Sequence, residues 1–255
     1  MFFINLSYKE FINPRFFALT LSSYNKFFGI LSSTEHNIFP SVNQSAYVRH
    51  TISKIKSDIH INEQKQFDSS FTIITDAVSI DEESLLVIEI EKSLKHLRYQ
   101  NDHWDNAIHG YRETEIVTWK DPRNLNIMQR LSSRVFTDKS STNPMQRVHI
   151  LDLLNNGYVK PHIDSVRFCG NIIAGLSLLS DSVMRLANEN VPDVYTVYAL
   201  LPRRSLYIMK DHVRYKYTHE ILNNGAPSIF NDMHIVRQRR ISIVMRNEPS
   251  TEIEK

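Results

Sequence analysis

From Arg147 to Arg246 this chain is a succession of short apolar runs broken by Gly, Pro, Asn and Asp, and that pattern restricts its fold more than any other feature. The runs are His149–Leu154, Tyr158–Asp164, Asn171–Ser180, Val183–Ala187, Val194–Leu201, Ser205–Lys210, Thr218–Leu222 and Arg240–Arg246. Strands in series with no helix between them argue for a jelly roll or barrel rather than a βαβ sheet. Asn155-Asn156-Gly157 reads as the turn of a hairpin joining the first two runs. Asp211–Lys216 reads as a polar connection.

The residues upstream are of another kind. Phe71–Ala77 is β-branched and reads as a strand. Ser79 and Glu82 then stand at capping-box spacing, Asp81, Glu82 and Glu83 fill a first helical turn, and Leu86, Ile90, Leu94 and Leu97 line one face. A second helix is expected from Pro122, capped by Asp121, to Phe136, with Leu125, Met128, Leu131 and Val135 at three- and four-residue spacing. Both helices should buttress the strands, giving one mainly β domain with flanking helices. Residues 1–50 hold most of the phenylalanines, several bases and only Glu10 and Glu35 as acids, which is the composition of an organellar transit segment. Pro14, Arg15, Asn25 and Lys26 interrupt any secretory apolar core.

Composition narrows the classes of function and leaves binding to a phosphate backbone open. A net charge of +2 from 30 basic and 28 acidic residues does not announce nucleic acid as the partner. No apolar run approaches the roughly 18 residues of a spanning helix. The lone Cys169 rules out an intrachain disulfide and reads as a buried structural thiol in a reducing compartment.

One of the strand runs ends in chemistry. In Gly157-Tyr-Val-Lys-Pro-His-Ile-Asp164 an extended backbone sends His162 and Asp164 to the same face. Two such heads and one more histidine make a 2-His-1-carboxylate set, which leaves neighbouring positions open on a non-haem Fe(II). Alone the pair is weak, since roughly one chance His-x-Asp is expected in a chain this long. His103-Trp-Asp105 is a second copy, but it follows a helix and lacks the later strands that bring back a third ligand. For His162 and Asp164 those strands exist. His219, at the head of Thr218–Leu222, is the favoured third ligand, with His212 in the polar connection as its competitor. On the last strand Arg240, Ser242, Val244 and Arg246 share one face, with the two arginine Cα atoms about 20 Å apart at about 3.3 Å per residue. Two such guanidiniums leaning inwards can span a five-carbon diacid; the bland alternative is an edge strand framed by two surface arginines.

His-x-Asp, a distant His and Arg-x5-Arg together resemble the AlkB-like Fe(II)/2-oxoglutarate dioxygenases. Asp102–Glu115, Gly157–Leu179 and Ser205–Ile208 are similar to a mitochondrial branch of that family, and the resemblance covers about residues 70–247. It implies a double-stranded β-helix with iron on His162, Asp164 and His219, and a co-substrate, 2-oxoglutarate, whose distal carboxylate is held by Tyr207 and Arg240. Ser242 would lie alongside and Arg246 towards the metal end. The implied reaction uses O2 to oxidise 2-oxoglutarate to succinate and CO2 while a C–H bond of a protein, or an N-methyl group of RNA, is hydroxylated. A location in the mitochondrial matrix and links to fatty-acid metabolism and regulated necrosis come with it. The family's demethylases carry Asn-x-Tyr where this chain has Leu151 and Leu153, and Arg-x-Asn-x-Thr-x-Arg where it has Arg-x-Ser-x-Val-x-Arg. No basic, aromatic-rich lid precedes Leu151, so repair of DNA bases is not expected. The alternative is a non-catalytic β-helix module with a vestigial metal site, docking a partner through the aromatic segment 101–119.

Overall fold

The runs fold as strands, and the sheet they build closes over itself because one strand is long enough to serve both halves. The computed structural model describes residues 44–52, 57–101, 106–138, 142–192, 195–224 and 228–249. In chain order the elements are β1 (Val48–Ile52), α1 (Ser57–Ser70), β2 (Phe71–Ile74), α2 (Ile80–Leu94), β3 (Ile108–Ile116), α3 (Pro122–Val135), β4 (Val148–His162), β5 (Ile172–Leu178), β6 (Ser182–Asn188), β7 (Tyr195–Leu201), β8 (Leu206–Lys210), α4 (Asp211–Lys216), β9 (Tyr217–Ile221), β10 (Ile229–Phe230), β11 (Met233–His234) and β12 (Arg240–Arg246).

The main sheet runs β1-β7-β6-β9-β4-β12-β5-β8-β2, with β3 paired to β4 beside this path. Residues 149–153 of β4 pair with β12, while Val159 and His162 pair with Ile221 and His219 of β9. The bend between them divides the sheet into two walls, the jelly-roll solution for antiparallel strands. Leu151, Leu153, Ile173, Met184, Leu186, Val197, Tyr207 and Val244 meet between the walls. On the β12 wall the alternate residues Ile241, Ile243 and Met245, with Ala174 and Leu176 of β5, turn outward to Leu86, Ile90 and Leu94 of α2 and to Ile127, Met128 and Leu131 of α3. Burial on both faces is why β5 reads as a nearly unbroken apolar run.

The two helices start where their caps predict. Ser79 makes both bonds of a capping box with Glu82, and Asp121 accepts from Arg123 N with Pro122 in the first turn. The first helix stops at Leu94, so Leu97 is exposed rather than part of its apolar face.

Several expectations are corrected. The hairpin at Asn155-Asn156-Gly157 does not form: none of the three has positive φ, and β4 continues through them as one strand. Gly157 is needed for close approach, since a Cβ there would overlap the carbonyls of His109 and Gly110 on β3, whose register shifts between His109 and Tyr111. Arg237 fixes the bend by donating to the Leu154 carbonyl at 2.8 Å and to that of Gly157. Residues 108–116, within the aromatic segment to which the sequence assigns no strand, form β3, because β4 offers an edge for them to pair with. The connection Asp211–Lys216 is the helix α4. N-terminal to residue 70, β1 pairs with β7 and α1 puts Phe67 into the core between the walls. Tyr111 and Trp119 are buried core residues, which removes them from any docking surface. His103 and Asp105, and most of the segment 1–50, lie outside the described residues.

Candidate active site

His162, the last residue of β4, is the direct cross-strand partner of His219 on β9, and opposed residues of a pair hold their side chains together. The two rings lie 4.3 Å apart between centroids. Asp164 stands two residues beyond the strand end, in a loop rather than in the extended backbone expected of it. The loop still brings Asp164 Oδ1 to 3.3 Å from His162 Nε2 and 3.7 Å from His219 Nε2. His162 Nδ1 lies 2.9 Å from the Lys160 carbonyl, which can only accept, so that nitrogen carries the hydrogen and the Nε2 lone pair is left for the cluster. Among the described residues this is the one group of three metal-binding heads, all within 4.8 Å of one another. His212 is elsewhere, with Nε2 2.8 Å from Glu63 Oε1.

The electrostatics suit a cation. Burial would raise the Asp164 carboxyl, but His162, Arg246 and His219 outweigh it and hold the group well below the usual carboxylate range. Burial, aided by His162, lowers His219 to about 3, so its imidazole is neutral and its lone pair free. At His162 burial works against the charged form, but Asp164 prevails and the pKa is raised.

A cavity of about 80 Å³ extends from this cluster between the walls. Arg240, Ser242, Val244 and Arg246 all line it, as the period of 2 predicts, together with Tyr207, Leu151, Val159, Met184 and Ile108. Arg240 is 1% exposed. Its Nε donates to Ser177 Oγ at 2.9 Å, while its Nη2 has no partner. A buried guanidinium with an unsatisfied donor is costly unless an anion completes it. Tyr207 stands beside it, its hydroxyl kept protonated by burial. Gly175 makes room for that ring, for a Cβ there would overlap the Tyr207 hydroxyl. Arg246 is already engaged, with Nε and Nη2 each 3.0 Å from Asp164 Oδ2. The two arginines of the last strand therefore face different partners.

No family model matches the sequence. Over 173 residues the chain is 46% identical to the alpha-ketoglutarate-dependent dioxygenase alkB homolog 7, mitochondrial, of Mus musculus, a match that covers 68% of this chain and 76% of that protein. The chain belongs to the AlkB-like 2-oxoglutarate-dependent dioxygenases. The protein of the same name from Bos taurus is 44% identical over 172 residues, again 68% and 76% of the two chains. An uncharacterized protein of Acanthamoeba polyphaga mimivirus is 31% identical over 186 residues, 70% of this chain and 85% of that one. A solved prolyl hydroxylase from Trichoplax adhaerens superposes with a TM-score of 0.48 at 12% identity, covering 76% of this chain and 94% of that one.

As an AlkB-like dioxygenase the chain is an enzyme that uses Fe(II) and 2-oxoglutarate with O2. The site fits both: two imidazole nitrogens and a carboxylate oxygen converge for the metal, and the orphaned Arg240 Nη2 waits for an anion. His149, Ser177, Ile108 and Gly175 are neighbours that the sequence reading passed over. His149 alone carried a signal, lying two residues from Leu151 on the strand face that meets the cavity.

Proposed function

We propose that His162, Asp164 and His219 hold the iron, that Arg240 with Tyr207 and Ser242 receives the distal carboxylate of 2-oxoglutarate, and that Arg246 keeps Asp164 oriented. The observation that carries this is the unpartnered Arg240 Nη2 in the same cavity as the His–Asp–His cluster. Fe(II) with bound 2-oxoglutarate supplies an oxidation in which the co-substrate and O2 yield succinate, CO2 and a hydroxylated substrate. The chain's own part is positional. Arg240 and Tyr207 orient the diacid, the Lys160 carbonyl fixes the His162 tautomer, and Leu151, Val159, Met184 and Ile221 keep water from the reacting end.

The substrate we propose is a C–H bond of a protein. Reading a flipped base requires aromatic faces to stack on, and the cavity's aromatic rings are His162, His219 and Tyr207, given to the metal and the diacid in this reading, and His149, engaged by Glu113 at 2.8 Å. Tyr158 and His109, nearby on β4 and β3, stack on each other at 4.6 Å. The enzyme works in the mitochondrial matrix in this reading, in line with the names of the mouse and cow relatives. An import leader lies within residues 1–50, ending ahead of Val48 because β1 is a member of the sheet. The dioxygenase domain then reaches to about residue 247. Mass spectrometry of matrix proteins and RNA from cells with the wild-type chain or with Asp164→Ala tests the substrate class, with proteins of fatty-acid metabolism and regulated necrosis searched first. A protein mass shifted by one oxygen only with the wild type supports the reading, and loss of RNA methylation instead overturns it.

A further inference from the structure

The loop that carries Asp164 is organised by a buried arginine that the reaction does not touch. Between the end of β4 and the start of β5 the chain makes no ladder, so its inward carbonyls must find donors elsewhere. Arg214 of α4, 2% exposed, supplies them. Its Nη1 donates to the Asp164 carbonyl at 2.9 Å, its Nε to Gly170 at 3.0 Å, and its Nη2 to Cys169 at 3.2 Å and Ser165 at 3.3 Å. No carboxylate oxygen lies within ion-pair distance of it among the described residues. A guanidinium with five donors in a rigid fork is the one side chain that can satisfy four converging carbonyls at once.

We infer that Arg214 is the positioning residue of the metal centre, setting where the Asp164 carboxylate stands relative to His162 and His219. Asp164 is thus held twice, by Arg246 at its side chain and by Arg214 at its backbone. The geometry of the loop's far end is fixed as well. Gly170 N donates to the Asn247 carbonyl at 2.7 Å, and Asn171 Nδ2 donates to Asp211 Oδ1 of α4 at 2.8 Å. Both ends of the loop are therefore pinned to α4 or to the residue after β12, and among the described residues Arg214 is the side chain that bonds the Asp164 carbonyl. The exposed Val166 and Phe168 lie on the loop between these points.

This inference rests on the iron assignment proposed above, so the experiment separates the two. Co(II) is titrated into the metal-free full-length protein, with affinity and the visible ligand-field absorption as readouts and thermal melting of the metal-free form alongside. Arg214→Ala should weaken Co(II) binding about tenfold to a hundredfold, the usual loss when outer support of a ligand is removed, and should alter the absorption envelope. Methylguanidinium at millimolar concentration, filling the vacated slot, should restore both. Arg214→Lys should recover only part, because three donors on one nitrogen cannot reach four carbonyls. Wild-type affinity and spectrum in Arg214→Ala, or weakened binding that merely follows a lowered melting temperature without rescue, overturns the inference. His162→Ala is the control: if it binds Co(II) as tightly as the wild type, the metal centre itself is misassigned and the role of Arg214 falls with it.

Discussion

Arg240 and Arg246 sit on one face of one strand, six residues apart in number, and do opposite things. Arg246 is satisfied by Asp164, whereas Arg240 keeps an empty donor. Their alanine variants should separate cleanly. Arg240→Ala leaves a buried carboxylate of the co-substrate facing no cation, a loss of several kcal/mol, so 2-oxoglutarate binding should weaken on the order of a hundredfold or more, with metal affinity unchanged. Arg246→Ala should weaken Fe(II) binding first, by about 1.5–3 kcal/mol for a lost charged hydrogen bond. Calorimetric titration of each variant with metal and then with 2-oxoglutarate checks both, and loss of metal in Arg240→Ala would reverse the assignment. Gly175→Ala should behave as a mild Arg240 lesion, since its methyl displaces Tyr207 while touching neither the metal ligands nor the arginine. A raised KM for 2-oxoglutarate with unaltered Fe(II) affinity is the expected result there.

Among the elements, α2 and α3 are joined at the start of α3 through the Glu89 carboxylate, and further along by an ion pair between Arg130 and Glu82. Glu89 of α2 accepts from Asp121 N at 3.2 Å and from Asn124 Nδ2 at 2.8 Å, and also from Lys120 N, so it supplements the cap of the neighbouring helix. Burial alone would raise its pKa, but these donors outweigh it and the value is lowered. A carboxylate depressed in the folded state stabilises it above the unfolded value and loses that contribution as pH falls through the folded one. Glu89→Gln should therefore melt lower than the wild type at neutral pH by about 1–3 kcal/mol of stability, and the gap should close as pH drops below about 4.5. Denaturant unfolding at pH 7 and at pH 3 checks the sign. Gly157→Ala addresses the bend of β4. Its Cβ meets backbone rather than a movable side chain, so β3 must shift, and a loss of about 1–3 kcal/mol is expected.

On the scale of the whole molecule, what the sequence disclosed was whatever depends on local period and local chemistry. The face shared by Arg240, Ser242, Val244 and Arg246 follows from strand geometry alone, and the capping box at Ser79 from four consecutive residues. The His162–Asp164–His219 cluster was legible because His162 and His219 sit on strands recognisable one by one, although their cross-strand pairing had to come from the fold. Other features were hidden because their cause is distant. Asn155-Asn156-Gly157 carries the composition of a turn, yet Asn224 and Arg237, some 70 to 80 residues later, hold the carbonyls of Leu154, Asn155 and Gly157 within a continuous strand. In β3, Gly110 and the charged Arg112, Glu113 and Glu115 mask the alternation, and only the edge of β4 makes a strand of them. Arg214 had no signal at all, since the carbonyls it serves belong to a loop 44 to 50 residues earlier.

The position of β12 has a temporal consequence. It is the last strand among the described residues, yet it lies between β4 and β5 in the middle of the sheet. A chain emerging from the ribosome cannot join these two strands through β12 until residues 240–246 have arrived. A chain ending at residue 239 should stay protease-sensitive along its whole length, whereas the full chain becomes resistant in a single step once Arg246 is free to pair.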